Sequence, residues 1–320
     1  MHLSTWPMPG IRHLAVGSQQ RRGAQARGLA LALAALLAMA GCASSRPSRP
    51  AADPPGSGAV TAAQAVITIN AATLRWDWYV SRAEQLLTAQ CMRSHGFQYT
   101  VPAFGPEPSA HTVTAYALGG SYPATYGVTP QSLATSNPHD PGDTTRPYQY
   151  ALEGPATLTA TLALPGGGGV IYETSGCVGF ARQKLYGNVR AYVESSYVPQ
   201  VVRGKFGIFL STYHPYLYAL HMWQSCMKAR GRKFADPQAA IESVQGLALN
   251  GMRPAGLARR EIAIADADTA CDARSHLRAS TGQALARFAR SLPSRLLAQL
   301  SNIHSSRETA LQVAQRVLSG

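Results

Sequence analysis

The twelve residues from Cys91 to Pro102 align without a gap to the twelve from Cys226 to Pro237. Cys91 and Cys226, Met92 and Met227, Arg93 and Lys228, Gly96 and Gly231, Tyr99 and Phe234, and Pro102 and Pro237 stay in step. Each shared position has a physical use at the end of a helix. The cation sits at the negative end of the helix dipole, and the glycine supplies the left-handed backbone that stops a helix. The aromatic residue belongs to a short extended piece that follows. Upstream, Val80, Ala83, Leu87 and Cys91 share one helical stripe, as do Ala219, Trp223 and Cys226, so both cysteines are expected to face inward. A chain that repeats a helix end together with its cysteine is expected to contain two related helical modules.

The N-terminus supplies the compartment. Arg12, Arg21, Arg22 and Arg27 precede an apolar run from Leu29 to Ala40, with no acidic neighbour. That run is too short to cross ~30 Å of hydrocarbon, so it reads as an exported and cleaved leader rather than a transmembrane helix. Met39-Ala40-Gly41-Cys42 resembles the lipobox of bacterial lipoprotein signal peptides, with Met39 where leucine is usual. The resemblance implies lipidation at Cys42 and an address on the extracytoplasmic face of the membrane. Arg21-Arg22 resembles part of a twin-arginine signal, although the residues that follow do not fit one.

Cys42 apart, four cysteines remain: Cys91, Cys177, Cys226 and Cys271. Outside the reducing cytoplasm an even count implies disulfides, and four cysteines allow three pairings. The repeat chooses among them, because each module carries its own second cysteine. Cys91 is expected to pair with Cys177 and Cys226 with Cys271, against the competing pairing of Cys91 with Cys226. Chain-entropy arguments value loops of this length at roughly 4 to 5 kcal/mol each.

From residue 75 to residue 275 the chain resembles a loose group of predicted secreted or lipid-anchored actinobacterial proteins, in which helices end in Cys-Met, three residues and Gly. Matching pieces include Tyr150 to Gly154, Gly176-Cys177 with Ala181, Leu185 to Gly187, and Ala265 to Asp268 before Cys271. The resemblance implies a cysteine pattern and an extracytoplasmic address, but no chemistry.

Charge is unevenly placed. Beyond residue 41 the 29 basic residues fall by the leader's four to 25, against 16 acidic ones, a net of +9. Residues 42–199 are balanced, nine against nine, whereas residues 200–320 carry sixteen basic and seven acidic side chains. The excess therefore creates a field at one part of the molecule. Its densest cluster is Lys228, Arg230, Arg232 and Lys233. For an exported protein the matching polyanions are anionic lipid headgroups and cell-wall polymers rather than nucleic acid. A solvated face that only aids solubility is the plainer reading.

Along the chain, the Pro- and Ser-rich residues after Cys42 read as a tether, with a reach of roughly 25 Å when flexible and up to ~70 Å when extended. A helix is expected from Ala72 to His95, then a long irregular stretch from Pro102 to Pro147. Alternation from Thr157 to Leu164, a glycine run and Val170 to Tyr172 predict a β-hairpin. The glycines read as a turn, since a phosphate loop would need Gly-Lys before Ser or Thr. Helices are expected over Gly176 to Leu185, Asn188 to Tyr197 before Pro199, His214 to Arg230, Pro237 to Leu247 and Pro254 to Leu277, then a terminal pair broken by Pro293. Leu297, Leu300, Ile303, Leu311, Ala314 and Val317 make the last of these amphipathic.

The fold class is thus mainly α with a small β-hairpin: a leader at 1–41, a tether at 42–62, a first module at 63–200 and a second, basic module at 201–320. Candidate chemistry is sparse. His221 and His276 each lie five residues from a cysteine of the second pair, about 140° apart on an ideal helix, which is poor for joint zinc binding. Asp268, Asp272 and His276 share a face and read as a solvated edge or a cation site. His139, Asp140 and Asp143 in the long loop read as turn residues, with calcium ligation as the alternative. There is no Gly-x-Ser-x-Gly elbow, Ser-x-x-Lys motif or Cys-x-x-Cys dithiol. The expectation is a noncatalytic, membrane-anchored binding or interaction protein of the cell envelope without cofactor or metal. Its expected partners are membrane lipid and either an anionic wall polymer or an envelope protein. The alternative is an envelope hydrolase whose site assembles only on folding.

Overall fold

The structure is a computed structural model that describes residues 56–104, 107, 145–249 and 254–320. The leader, Cys42, His139, Asp140 and Asp143 lie outside the described residues. The described residues belong to one compact unit. Its elements are α1 (Ser57–Ile67), α2 (Ala71–Ser94), α3 (Arg146–Glu153), β1 (Thr159–Ala163), β2 (Gly169–Glu173), α4 (Gly176–Tyr186), α5 (Val189–Leu210), α6 (His214–Ala229), α7 (Pro237–Leu249), α8 (Pro254–Ser275), α9 (Leu277–Ser291) and α10 (Ser294–Ser319). Among the described residues the fold is mainly helical, with one antiparallel hairpin in which Thr161 faces Ile171. Hairpin alternation buries Leu162, Val170 and Tyr172 against the helices and leaves Thr161 and Ile171 outside.

The repeat folds as a repeat. At the end of α2 the amide of Phe97 donates to the Met92 carbonyl and that of Gly96 to the Arg93 carbonyl. At the end of α6, Arg232 donates to Met227 and Gly231 to Lys228. These are the two bonds of a Schellman termination, built twice on the same spacing. Gly96 and Gly231 occupy the left-handed region, with φ of 82° and 74°. Met92 and Met227 are fully buried under the two ends.

Both expected disulfides form, Cys91 with Cys177 and Cys226 with Cys271, with Cα atoms 5.4 and 5.5 Å apart. The first ties the last turn of α2 to the first turn of α4, and a small core of Met92, Tyr148, Phe97 and Tyr99 packs around it. The second ties α6 to α8. One large core nevertheless runs through both halves, because α10 packs on α1, α2, α4 and α5, and α9 on α1, α5 and α6. Leu297, Leu300, Ile303, Ala310 and Ala314 form the buried stripe of α10.

Three local expectations need correction. Residues 57–62, placed in the tether by their composition, form the first turns of α1, where burial of Ala62 and Ala63 outweighs a weak local pattern. The helix expected to stop before Pro199 continues to Leu210. The helix expected to run from Pro254 to Leu277 breaks at His276, whose φ is 55°. Asp272 accepts from the Arg278 amide at 2.8 Å there, capping α9 across the break.

Candidate functional site

Pro199 lies inside α5 and has no amide hydrogen to give the carbonyl four residues back, which is that of Ser195. The Arg307 Nη2 of α10 donates to that carbonyl instead. A side chain from the far end of the sequence thus completes a helix that its own proline interrupts. The Arg307 guanidinium also lies over the Trp76 ring of α2, 4.4 Å from its centre.

Other polar groups gather around this contact. Arg182 of α4 pairs with Glu84 of α2 at 2.9 Å, both side chains nearly enclosed at 3% and 12% exposure. The Arg182 guanidinium lies over Tyr192 at 4.3 Å, and the Tyr192 and Tyr186 rings meet edge to face at 5.5 Å. Burial works against the charge of Arg182, yet Tyr192 and Glu84 hold its pKa above the ordinary value. Glu84 is committed to that pair. Burial pushes the Tyr186 and Tyr192 phenols upward, so both stay protonated hydrogen-bond donors.

Arg203, one turn beyond Pro199 on α5, is half-buried like Arg307. Burial pushes its guanidinium down to about 10, and repulsion from Arg307 adds to the effect. Burial also lowers Arg307, while Tyr186 and Asp77 pull it back up. Among the described residues neither arginine has a carboxylate within ion-pair distance. Asp77 keeps an exposed face, yet protein crowds its carboxyl and pushes it upward; Glu84 reinforces that shift, while Arg307 and a hydrogen bond from Ser81 oppose it. The junction of α2, α4, α5 and α10 is therefore electropositive, rich in donors and open to solvent beside Asp77. Such a place suits holding an anionic group.

The residues singled out from sequence lie elsewhere. Lys228, Arg230 and Lys233 are exposed at the end of α6, and Arg232 beside them is half-buried. The stripe of α6 that leads to this cluster carries exposed Leu217, Tyr218 and Met222. Leu217 and Lys228 are three turns apart on the same side of the helix. Cys226 and Cys271 are bonded to each other, which removes them as zinc ligands for His221 and His276. The Cys91 and Cys177 sulfurs lie close to a ligand atom of His95, but they too are spent in a disulfide. Asp268 is not on a solvated edge: it is 1% exposed and accepts from Trp223 Nε1 at 2.7 Å.

Sequence reasoning missed the guanidinium junction. Two signals pointed to it: an arginine at position 307 in the buried stripe of Leu300, Ile303, Ala310 and Ala314, and a proline inside a helical pattern. The fold and this site define a disulfide-bonded helical protein with a partly solvated polar junction beside its core. Compared with protein-family models, curated proteins and solved structures, the chain matches none.

Proposed function

We propose that the chain is an extracytoplasmic lipoprotein, anchored through Cys42, that serves the cell envelope as a noncatalytic binding protein. The leader and lipobox-like residues support the anchor, and two disulfides suit an oxidising compartment. The observation that carries the binding reading is the α6 surface. Exposed Leu217, Tyr218 and Met222 run along the helix into Lys228, Arg230 and Lys233, so apolar contact and positive charge are offered side by side. That combination suits an anionic membrane or wall surface held close by the anchor.

The test separates anchor from surface. Cys42→Ala should move the protein from the membrane fraction to the soluble one and abolish incorporation of a labelled fatty acid; unchanged partitioning would end the anchor assignment. In that released form, binding to phosphatidylglycerol vesicles should fall steeply with salt. It should weaken again when Lys228, Arg230, Arg232 and Lys233 are replaced by Gln. Equal retention of both forms at low salt would overturn the surface reading.

A further inference from the structure

Among the described residues, Trp76 Nε1, Tyr186 Oη, Ser195 Oγ and Arg307 Nε are buried polar atoms without a hydrogen-bond partner. All four belong to groups around Arg307: its own Nε, the ring it covers, the residue whose carbonyl it fills and the neighbouring Tyr186 phenol. Buried polar atoms are nearly always satisfied, and those left over call for an explanation. A structural role accounts for Arg307 Nη2, which replaces the missing Pro199 amide. It leaves Nε unaccounted for, together with the three neighbouring groups that can donate.

Charge points the same way. Arg203 lies one turn beyond Pro199 on α5, the stretch of that helix that Arg307 reaches from α10, and both arginines are half-buried without a carboxylate at ion-pair distance. A protein pays to desolvate two like charges side by side, and an anion between them removes the repulsion and supplies acceptors for their N–H groups. Every orphaned atom here is able to donate. Trp76 Nε1 and Arg307 Nε can only donate, so the set asks for a ligand that supplies acceptors. Tyr186 and Ser195 are buried whereas Asp77 and the two arginines keep solvent access, so a ligand reaches the donors by its charged head.

We propose that the junction of α2, α4, α5 and α10 binds a small oxyanion, a carboxylate or phosphate head seated between Arg203 and Arg307 and hydrogen-bonded by Trp76, Tyr186 and Ser195. This goes beyond the binding reading above: it concerns a second site and is independent of the α6 surface and of the anchor. Asp77 stands at the opening as a negative gate: ionised it opposes the ligand, protonated it donates.

The experiment is calorimetric titration of the full chain in detergent at low ionic strength, with inorganic phosphate in one arm and succinate in the other. The arms tell a phosphate site from a carboxylate site. Saturable binding of one ion per chain is expected in at least one arm, weakened about tenfold or more by Arg203→Gln, as for loss of a charge-assisted hydrogen bond. Tyr186→Phe removes only a hydroxyl, and it should weaken binding severalfold in a chain whose helical signal is unchanged, which keeps the test alive if the arginine variant does not fold. Asp77→Asn should strengthen binding at neutral pH. Absence of saturable binding in both arms, or binding that Arg203→Gln and Tyr186→Phe leave unchanged, would overturn the proposal. Either result would leave membrane release by Cys42→Ala as it was, so the two readings fail separately.

Discussion

Arg307 illustrates how one side chain can answer for a defect a hundred residues away. The Ser195 carbonyl is buried and its helical partner is a proline, so the guanidinium is the donor that satisfies it. Replacing Arg307 by Met should cost about 1 to 3 kcal/mol, the penalty of leaving a buried acceptor unmet. In a Pro199→Ala background the restored amide can reach the same carbonyl, and the cost of Arg307→Met should shrink. A denaturant-based double-mutant cycle measures this; additive effects would show that the carbonyl contact is incidental. A second residue-scale effect concerns the phenols. Burial raises Tyr186, Tyr192 and Tyr197 and pushes Tyr99 up to about 12, whereas the unfolded chain ionises its tyrosines near 10. The folded state therefore holds protons that the unfolded state releases. Stability should be full below about pH 10 and fall as pH rises through the window toward 12. Unfolding followed by helical signal against pH checks this, and Tyr99→Phe should flatten the slope by removing one released proton.

At the scale of the element, the repeat is the part that was most legible in the sequence. Six matched positions of twelve gave the helix end, the inward cysteine and the glycine conformation, and both ends close with the same pair of hydrogen bonds. Beyond the glycine and its chain neighbours, nothing lies within 4 Å of where a Cβ would stand on either residue, so substitution meets backbone strain alone. Gly96→Ala and Gly231→Ala should each cost about 1 kcal/mol, and by similar amounts. Thermal melts of the two variants decide it; a large difference would mean that the two ends are not equivalent. The hairpin was legible for a related reason, since its alternation and glycine turn are local. What stayed hidden was set by side-chain contacts that no helical or strand period encodes, two of them between residues far apart in sequence. The continuation of α5 through Pro199 depends on Arg307, the break at His276 on the cap that Asp272 gives Arg278, and the burial of Asp268 on Trp223. The polar junction left only the stripe arginine and the mid-helix proline as traces in the sequence, because its members come from four helices and have no spacing in common.

The whole molecule joins what the disulfides keep apart. Each bond closes within one half of the chain, over 86 and 45 residues, yet the main core takes Val80 and Leu87 from the first half and Leu297, Leu300 and Ile303 from the last helix. Two modules with separate cores would melt separately. Here α10 covers α1, α2, α4 and α5, so neither half can bury its apolar stripe without the other. Heat-induced unfolding of the oxidised protein should therefore be a single cooperative transition by calorimetry, with the calorimetric and van't Hoff enthalpies equal. Replacing Cys226 and Cys271 together by Ala relaxes only the second loop, which chain entropy values at roughly 4 kcal/mol before strain. With one shared core that loss should lower the midpoint of the whole transition and leave it single. A variant that instead melts in two steps, the half containing Cys226 and Cys271 first, would show that the shared core is too weak to couple the modules and that the repeat marks two folding units.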